Sequence, residues 1–125
     1  MRVGNHTLGA RLRVVLKKNV AFGPGKADIL EGIRETGSIA AAGRRLHMSY
    51  KRAWTLVEDM NRDFQAPLVE TSKGGSGHGG ATLTSLGDEV LDRYRRMEAH
   101  AEDAVARDLK ALRKLLTEHG SDISK

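Results

Sequence analysis

The chain has 125 residues, 39% hydrophobic and 30% charged, which suits one ordinary domain, or one domain with an extension, and allows a real core. It has no cysteine, which excludes disulfides and thiolate metal sites and makes a reducing cytoplasm the expected location. No apolar run spans a bilayer, and the start, MRVGNHTLGARLRVV, lacks a signal peptide's apolar core and cleavage site. The net charge of +5 is uneven: residues 1–52 carry eleven Lys and Arg against three acids, a balance of +8, and residues 53–125 carry ten against thirteen, a balance of −3, so a basic front half is set to face polyphosphate.

Leu8, Ala10, Leu12, Val14 and Leu16 alternate with Gly9, Arg11, Arg13, Val15 and Lys17, the period-two pattern of a half-buried strand. Lys18-Asn19 makes a turn, and Val20 to Phe22 returns as a second short strand, because Asn accepts the left-handed backbone that tight hairpins need. After the break at Gly23-Pro24-Gly25, Ala27, Ile29, Leu30 and Ile33 share a face of a helix that stops at Gly37.

Two helix starts then follow eleven residues apart. Ser38 and Ser49 each offer a hydroxyl to the free N–H groups of the next turn, and apolar residues at helical spacing come after each: Ile39, Ala42, Leu46, then Ala53, Val57, Met60. Only His47 and Met48 separate the two segments, a link that suits helices crossing steeply. Ala41, Ala42 and Gly43 permit close approach, and Met48 fills the corner. This is the pattern of a helix-turn-helix. Its second helix opens with Ser49, Tyr50, Lys51 and Arg52, polar and cationic groups at the end that such motifs insert into the DNA major groove.

Pro67 to Thr71 reads as a strand and Ala81 to Thr84 as its partner. The glycine-rich loop between them offers almost no side chains to pack, as in the wing of a winged helix. Gly75, Gly77 and Gly80 have dinucleotide-fingerprint spacing, but no parallel strand follows the next helix, so that reading fails. Ser85 then caps a long helix. Leu86, Val90, Tyr94, Met97, Ala101, Val105, Leu109, Leu112 and Leu116 form one apolar stripe along it. A stripe that outruns a compact domain needs a cover, and a second copy of the same helix is the expected one.

The five histidines are scattered without an i, i+4 pair, and adjacent acids such as Glu58-Asp59 diverge around their helices. No zinc site, cofactor site or catalytic set assembles, so the chain reads as a non-enzyme.

The segments Gly37-Ser38-Ile39, Met48-Ser49-Tyr50-Lys51-Arg52-Ala53-Trp54, Met60-Asn61, Pro67-Leu68-Val69-Glu70 and Gly79-Gly80-Ala81-Thr82-Leu83-Thr84 with Gly87 resemble the DNA-binding domain of the ModE-type molybdate-responsive regulators over roughly residues 8–97. The SYKxAW and GGATLT stretches distinguish that resemblance from the LysR-type helix-turn-helix. Ser76 and His78 interrupt the glycine run of the wing and so depart from the pattern. The resemblance implies a winged helix-turn-helix that dimerises and binds an operator. The family's well-known members continue into oxyanion-binding domains, and with only a few polar residues after Leu116 no oxyanion ligand is expected here.

The expected fold is therefore α+β: a winged helix-turn-helix over residues 1–84 with an N-terminal β-hairpin, a C-terminal dimerisation helix over residues 85–119, and a flexible tail over residues 120–125. Double-stranded DNA with a palindromic operator is the expected partner, bound by a homodimer. Ser49, Tyr50, Lys51, Arg52 and Thr55 are the candidate groove contacts, and Arg44, Arg45, Lys73 and His78 the candidates for backbone phosphates; Ser38 either bonds a phosphate or only caps its helix. Trp54 either braces its helix or meets a base. Two other functions fit the same pattern: an architectural DNA binder with little sequence preference, and a winged helix that binds protein.

Overall fold

Asn19 takes a left-handed backbone at φ 64°, and the chain around it forms the expected hairpin. In this computed structural model, which describes residues 7–73 and 79–117, Val14–Lys17 (β1) pairs antiparallel with Val20–Phe22 (β2), with a register shift between Val15 and Lys17. The strand is shorter than the alternation from Leu8 suggests. The last pair is Val14 with Phe22, so residues before Val14 have no strand to pair with, although Leu12 still packs against the core.

Four helices follow: Pro24–Thr36 (α1), Ile39–Arg45 (α2), Tyr50–Asp63 (α3) and, after the wing, Ser85–Lys114 (α4). Proline starts α1 and Gly37 ends it at φ 73°, its N–H bonded to the Ile33 carbonyl. Ala27, Ile29, Leu30 and Ile33 are all buried, with Ala42, Ala53, Val57, Met60, Leu68 and Leu91 around them.

The helices meet through residues with almost no side chain. A Cβ on Gly32 would lie 2.8 Å from the Ala42 Cβ, and one on Gly43 would lie 3.1 Å from the Ala53 Cβ. Small residues thus set the α1–α2 and α2–α3 separations. His47 completes the link between α2 and α3 in the left-handed region at φ 57°, and Met48 donates its N–H to the Gly43 carbonyl.

Val69–Lys73 (β3) and Gly79–Leu83 (β4) form the wing, paired from Val69–Leu83 out to Lys73–Gly79. β3 starts two residues later than the sequence suggested, because the backbone at Leu68 is already engaged: Asn61 Oδ1 accepts its N–H at 2.8 Å, and its carbonyl accepts the Thr84 N–H at 2.9 Å. Thr84, not Ser85, caps α4, its hydroxyl oxygen accepting the Gly87 N–H at 3.0 Å. The Thr84 hydroxyl also donates to the Pro67 carbonyl at 2.8 Å, so the residue that starts the helix also ties it to the strand entry.

The 30-residue α4 packs on α1 through its first half. Gly87, Leu91, Tyr94 and Glu98 are the buried positions, a face beside the expected stripe. Tyr94, placed in that stripe by its spacing, belongs to its own domain: its ring lies 5.1 Å from that of Phe22 and its hydroxyl donates to the Leu12 carbonyl. Burial pushes its phenol up to about 12. Leu86, Val90, Ala101, Val105 and Leu109 are half-buried, whereas Met97, Leu112 and Leu116 are 42%, 60% and 57% exposed. The helix ends at Lys114, and residues 118–125, including the expected tail, lie outside the described residues. No helix among the described residues is long and apolar enough to cross a membrane.

Charge pairs complete the α1–α4 contact. Arg34 reaches Asp88 at 3.5 Å and Asp92 at 3.0 Å. Arg95 binds Asp28 at 2.9 Å, Glu31 at 3.0 Å and Glu98 at 2.9 Å. Burial holds the Asp28 carboxyl above its ordinary value of 3.8, and its bond to Arg95 opposes that rise. Burial also acts to lower the Arg95 value, but its bonds to Asp28 and Glu98 outweigh this and raise it.

Arg95→Met would leave Asp28 without its cation, and breaking such a pair costs about 3 kcal/mol, at the low end of the range for buried pairs because Arg95 stays partly solvated. A carboxyl raised in the fold favours the fold below its unfolded value and loses that contribution as pH rises through the folded value. Without Arg95 the Asp28 rise grows, so the variant's deficit should be large near pH 7 and shrink towards pH 4. Urea unfolding at both pH values checks this, and an equal deficit at the two would reject it.

Candidate nucleic-acid interface

Ser49 fixes the start of α3, its Oγ accepting the Arg52 N–H at 3.0 Å. Ser38 does the same for α2 with the Ala41 N–H at 3.1 Å. Each hydroxyl still has its proton to donate outward. At about 100° per residue, the start of α3 divides into three exposed sectors. Lys51 and Thr55 point directly away from the buried face of Ala53, Leu56, Val57 and Met60. Tyr50 and Trp54 lie on one flank of this ridge and Arg52 on the other.

Lys51 and Arg52 are exposed and have no acidic partner among the described residues. Thr55 donates its hydroxyl proton to the Lys51 carbonyl at 2.9 Å, which leaves its oxygen only as an acceptor. Tyr50 is 59% exposed, with its ring 6.0 Å from that of Trp54 and nearly perpendicular at 74°. Trp54 packs partly on the core, and its buried indole N–H has no acceptor among the described residues. The position is therefore both a brace and an unused donor.

The Tyr50–Trp54 flank opens into a cleft of about 450 Å³ bounded by Ser38 at the cap of α2 and by Lys73 and Gly79 on the wing. The structure thus brings Ser38, Tyr50 and Lys73 together. Arg44 and Arg45 are exposed at the end of α2, and Arg45 is paired with Glu35, which weakens its claim as a phosphate ligand. His78 and the tip of the wing, residues 74–78, lie outside the described residues.

On the Arg52 flank a second cleft of about 340 Å³ is lined by Arg13, Lys26, Arg52 and Leu56, among others. Sequence reasoning passed over Arg13 and Lys26. Alternation assigns Arg13 only to a solvent face. Lys26 carried a usable signal, because it occupies the first turn of a helix that has no acid there, where the helix dipole disfavours a cation.

No group of three or more His, Cys, Asp or Glu side chains among the described residues is placed to hold a metal ion. The surface that the motif presents is cationic, hydroxylic and open.

Residues 26–88 match the model of the bacterial regulatory helix-turn-helix proteins of the lysR family. The chain belongs to this family. Among solved structures it is similar to the crystal structure of the CbnR_DBD–DNA complex, with a TM-score of 0.58 and 27% identity over 70% of this chain and 95% of that one. Among curated proteins it is 41% identical over 87 residues to the molybdenum-pterin-binding protein MopB of Rhodobacter capsulatus, covering 69% of this chain and 32% of MopB. It is 33% identical over 93 residues to the transcriptional regulator ModE of Haemophilus influenzae, covering 74% and 36%, and 34% identical over 83 residues to the DNA-binding transcriptional dual regulator ModE of Escherichia coli K12, covering 66% and 32%. The chain spans about a third of the length of these relatives. Both the ModE likeness and the lysR helix-turn-helix are thus found, and neither excludes the other. The domain is a winged helix-turn-helix of the kind that transcription regulators use to bind DNA.

The chain has a single tryptophan, and it borders the first cleft. Its emission should change when duplex DNA saturates the protein. Unaltered emission at saturation, with binding followed independently by gel shift, would place the contact away from this flank.

Proposed function

We propose that the chain is the DNA-reading part of a non-enzymatic cytoplasmic transcription regulator that binds a two-fold operator as a homodimer. The observation that carries this reading is the pair Lys51 and Arg52, exposed and with no acidic partner among the described residues, at the capped start of α3. Long cations left without acids on a rigid helix end are suited to base edges and phosphates. Ser49, Tyr50, Lys51, Arg52 and Thr55 form the groove face. Ser38, Arg44 and Lys73, with a weaker contribution from Arg45, contact phosphates, and His78 is assigned there by sequence alone. Residues 1–84 act as the reading domain and α4, Ser85–Lys114, as the dimer helix.

Support for the dimer comes from the end of α4, where Leu112 and, just beyond the last helical residue, Leu115 and Leu116 are exposed, on a helix that extends past its contacts with α1. Two such helices cover each other at the cost of little ordering, and a two-fold pair presents two equal copies of α3. The cations sit on an open surface, where a small oxyanion would remain hydrated, so DNA binding by this chain needs no molybdate.

Lys51→Ala and Arg52→Ala should each weaken binding to a duplex selected from a random pool by about tenfold, within the 1–3 kcal/mol of a base contact, with native circular dichroism. The affinities should be the same with molybdate at constant ionic strength. Wild-type affinity in both variants rejects the reading face, and an anion-specific change rejects the oxyanion statement.

Light scattering of the full chain should report a dimer, and Leu112→Glu with Leu116→Glu should shift it to monomer while leaving thermal stability nearly intact. A monomeric wild type would overturn the two-fold reading.

A further inference from the structure

A helix lying in the major groove has a phosphate backbone on each side, because the groove is about 12 Å wide and a helix with its side chains about 10–12 Å across. The wing cleft with Lys73 and Ser38 accounts for one side of α3. On the other side Arg52, about 200° around the axis from Tyr50, shares its cleft with Arg13 and Lys26. We propose that Arg13 and Lys26, in the cleft they share with Arg52, form a second phosphate-binding flank, which holds the DNA strand opposite the one met by the wing. This rests on the DNA-binding reading above and adds the N-terminal hairpin to the interface.

Three cations line this cleft, and no carboxylate among the described residues does. The stem of Arg13 lies over Gly23, with its Cγ 3.5 Å from where a Cβ there would stand, and its guanidinium has no partner among the described residues. Lys26 uses one proton on the Ala21 carbonyl at 2.7 Å, and its other two remain. That bond also ties β2 to α1, so it positions the hairpin beside α3. Like charges gathered without acids repel one another, and the α1 first turn adds its positive end to them. A polyanion removes that repulsion. Phosphate contacts of this kind bind any sequence equally and act through counterion release.

The test compares the wild type with Arg13→Gln and with Arg13→Gln/Lys26→Gln. Each binds a duplex selected from a random pool and a random duplex between 50 and 200 mM salt. Each lost phosphate contact reduces the slope of log affinity against log salt by about 0.9. In the dimer each substitution removes two contacts, so over this fourfold salt range the affinity drop should be about tenfold smaller for Arg13→Gln and about a hundredfold smaller for the double variant, equally on both duplexes. Arg13 is exposed, so its single variant decides the matter if the double one unfolds. Wild-type slopes in a folded variant, with selected-duplex binding retained, would overturn this flank and leave the DNA reading intact. No duplex binding by the wild type would overturn both.

Discussion

The close approach of helices at positions that lack side chains is the constraint on which the reading surface depends. Gly32 opposite Ala42 and Gly43 opposite Ala53 leave so little room that a single added methyl group would meet another at about 3 Å. Because interiors are close-packed, such contacts fix distance and crossing angle more tightly than larger, adaptable residues can. α3 therefore emerges at a set angle from a rigid base. The same device recurs at Gly87, where a Cβ would fall 2.2 Å from the Leu68 carbonyl oxygen, so the start of α4 lies directly on the chain that leads into the wing.

The polar network works on a different scale. Small contacts place α2 and α3, whereas charges orient α4: Arg95 binds two α1 carboxylates and one of its own helix, and Arg34 reaches back to Asp88 and Asp92. Buried ion pairs contribute little net stability but accept few alternative geometries. In a helix whose far half extends beyond the domain, a small change of angle at this base would be magnified at the tip.

Much of this was readable in the residues. Ser38, Ser49 and Gly37 signalled their helix ends through backbone chemistry that operates within one turn, and the structure places all three as caps. What depended on partners distant in sequence was not readable. The N-terminal alternation ran past the length of its mate, so β1 is short. Ser85 and Thr84 are both good caps, and only the proximity of Pro67 and Leu68 selects Thr84. The stripe on α4 was legible as a periodicity, but periodicity could not tell that Tyr94 would turn inward to Phe22 and Leu12. The Arg13–Lys26–Arg52 cleft joins three separate segments of chain and has no local signature beyond a lysine placed against a helix dipole.

The wing is attached by main chain and by the buried side chains of Val69 and Ala81. Its Ala81 N–H is bonded to the Gly37 carbonyl at 2.9 Å, and the Thr84 N–H to that of Leu68 at the same distance, while Asn61 on α3 holds the entry to β3 through its amide. None of these bonds uses a side chain of β3 or β4. Glu70, Thr71, Ser72 and Lys73 are exposed and free to be exchanged without loosening the anchor. The strand that lies along the first cleft is thus a replaceable lettering strip on a fixed mount, where a lineage could alter what the domain reads while the frame that carries it stays the same.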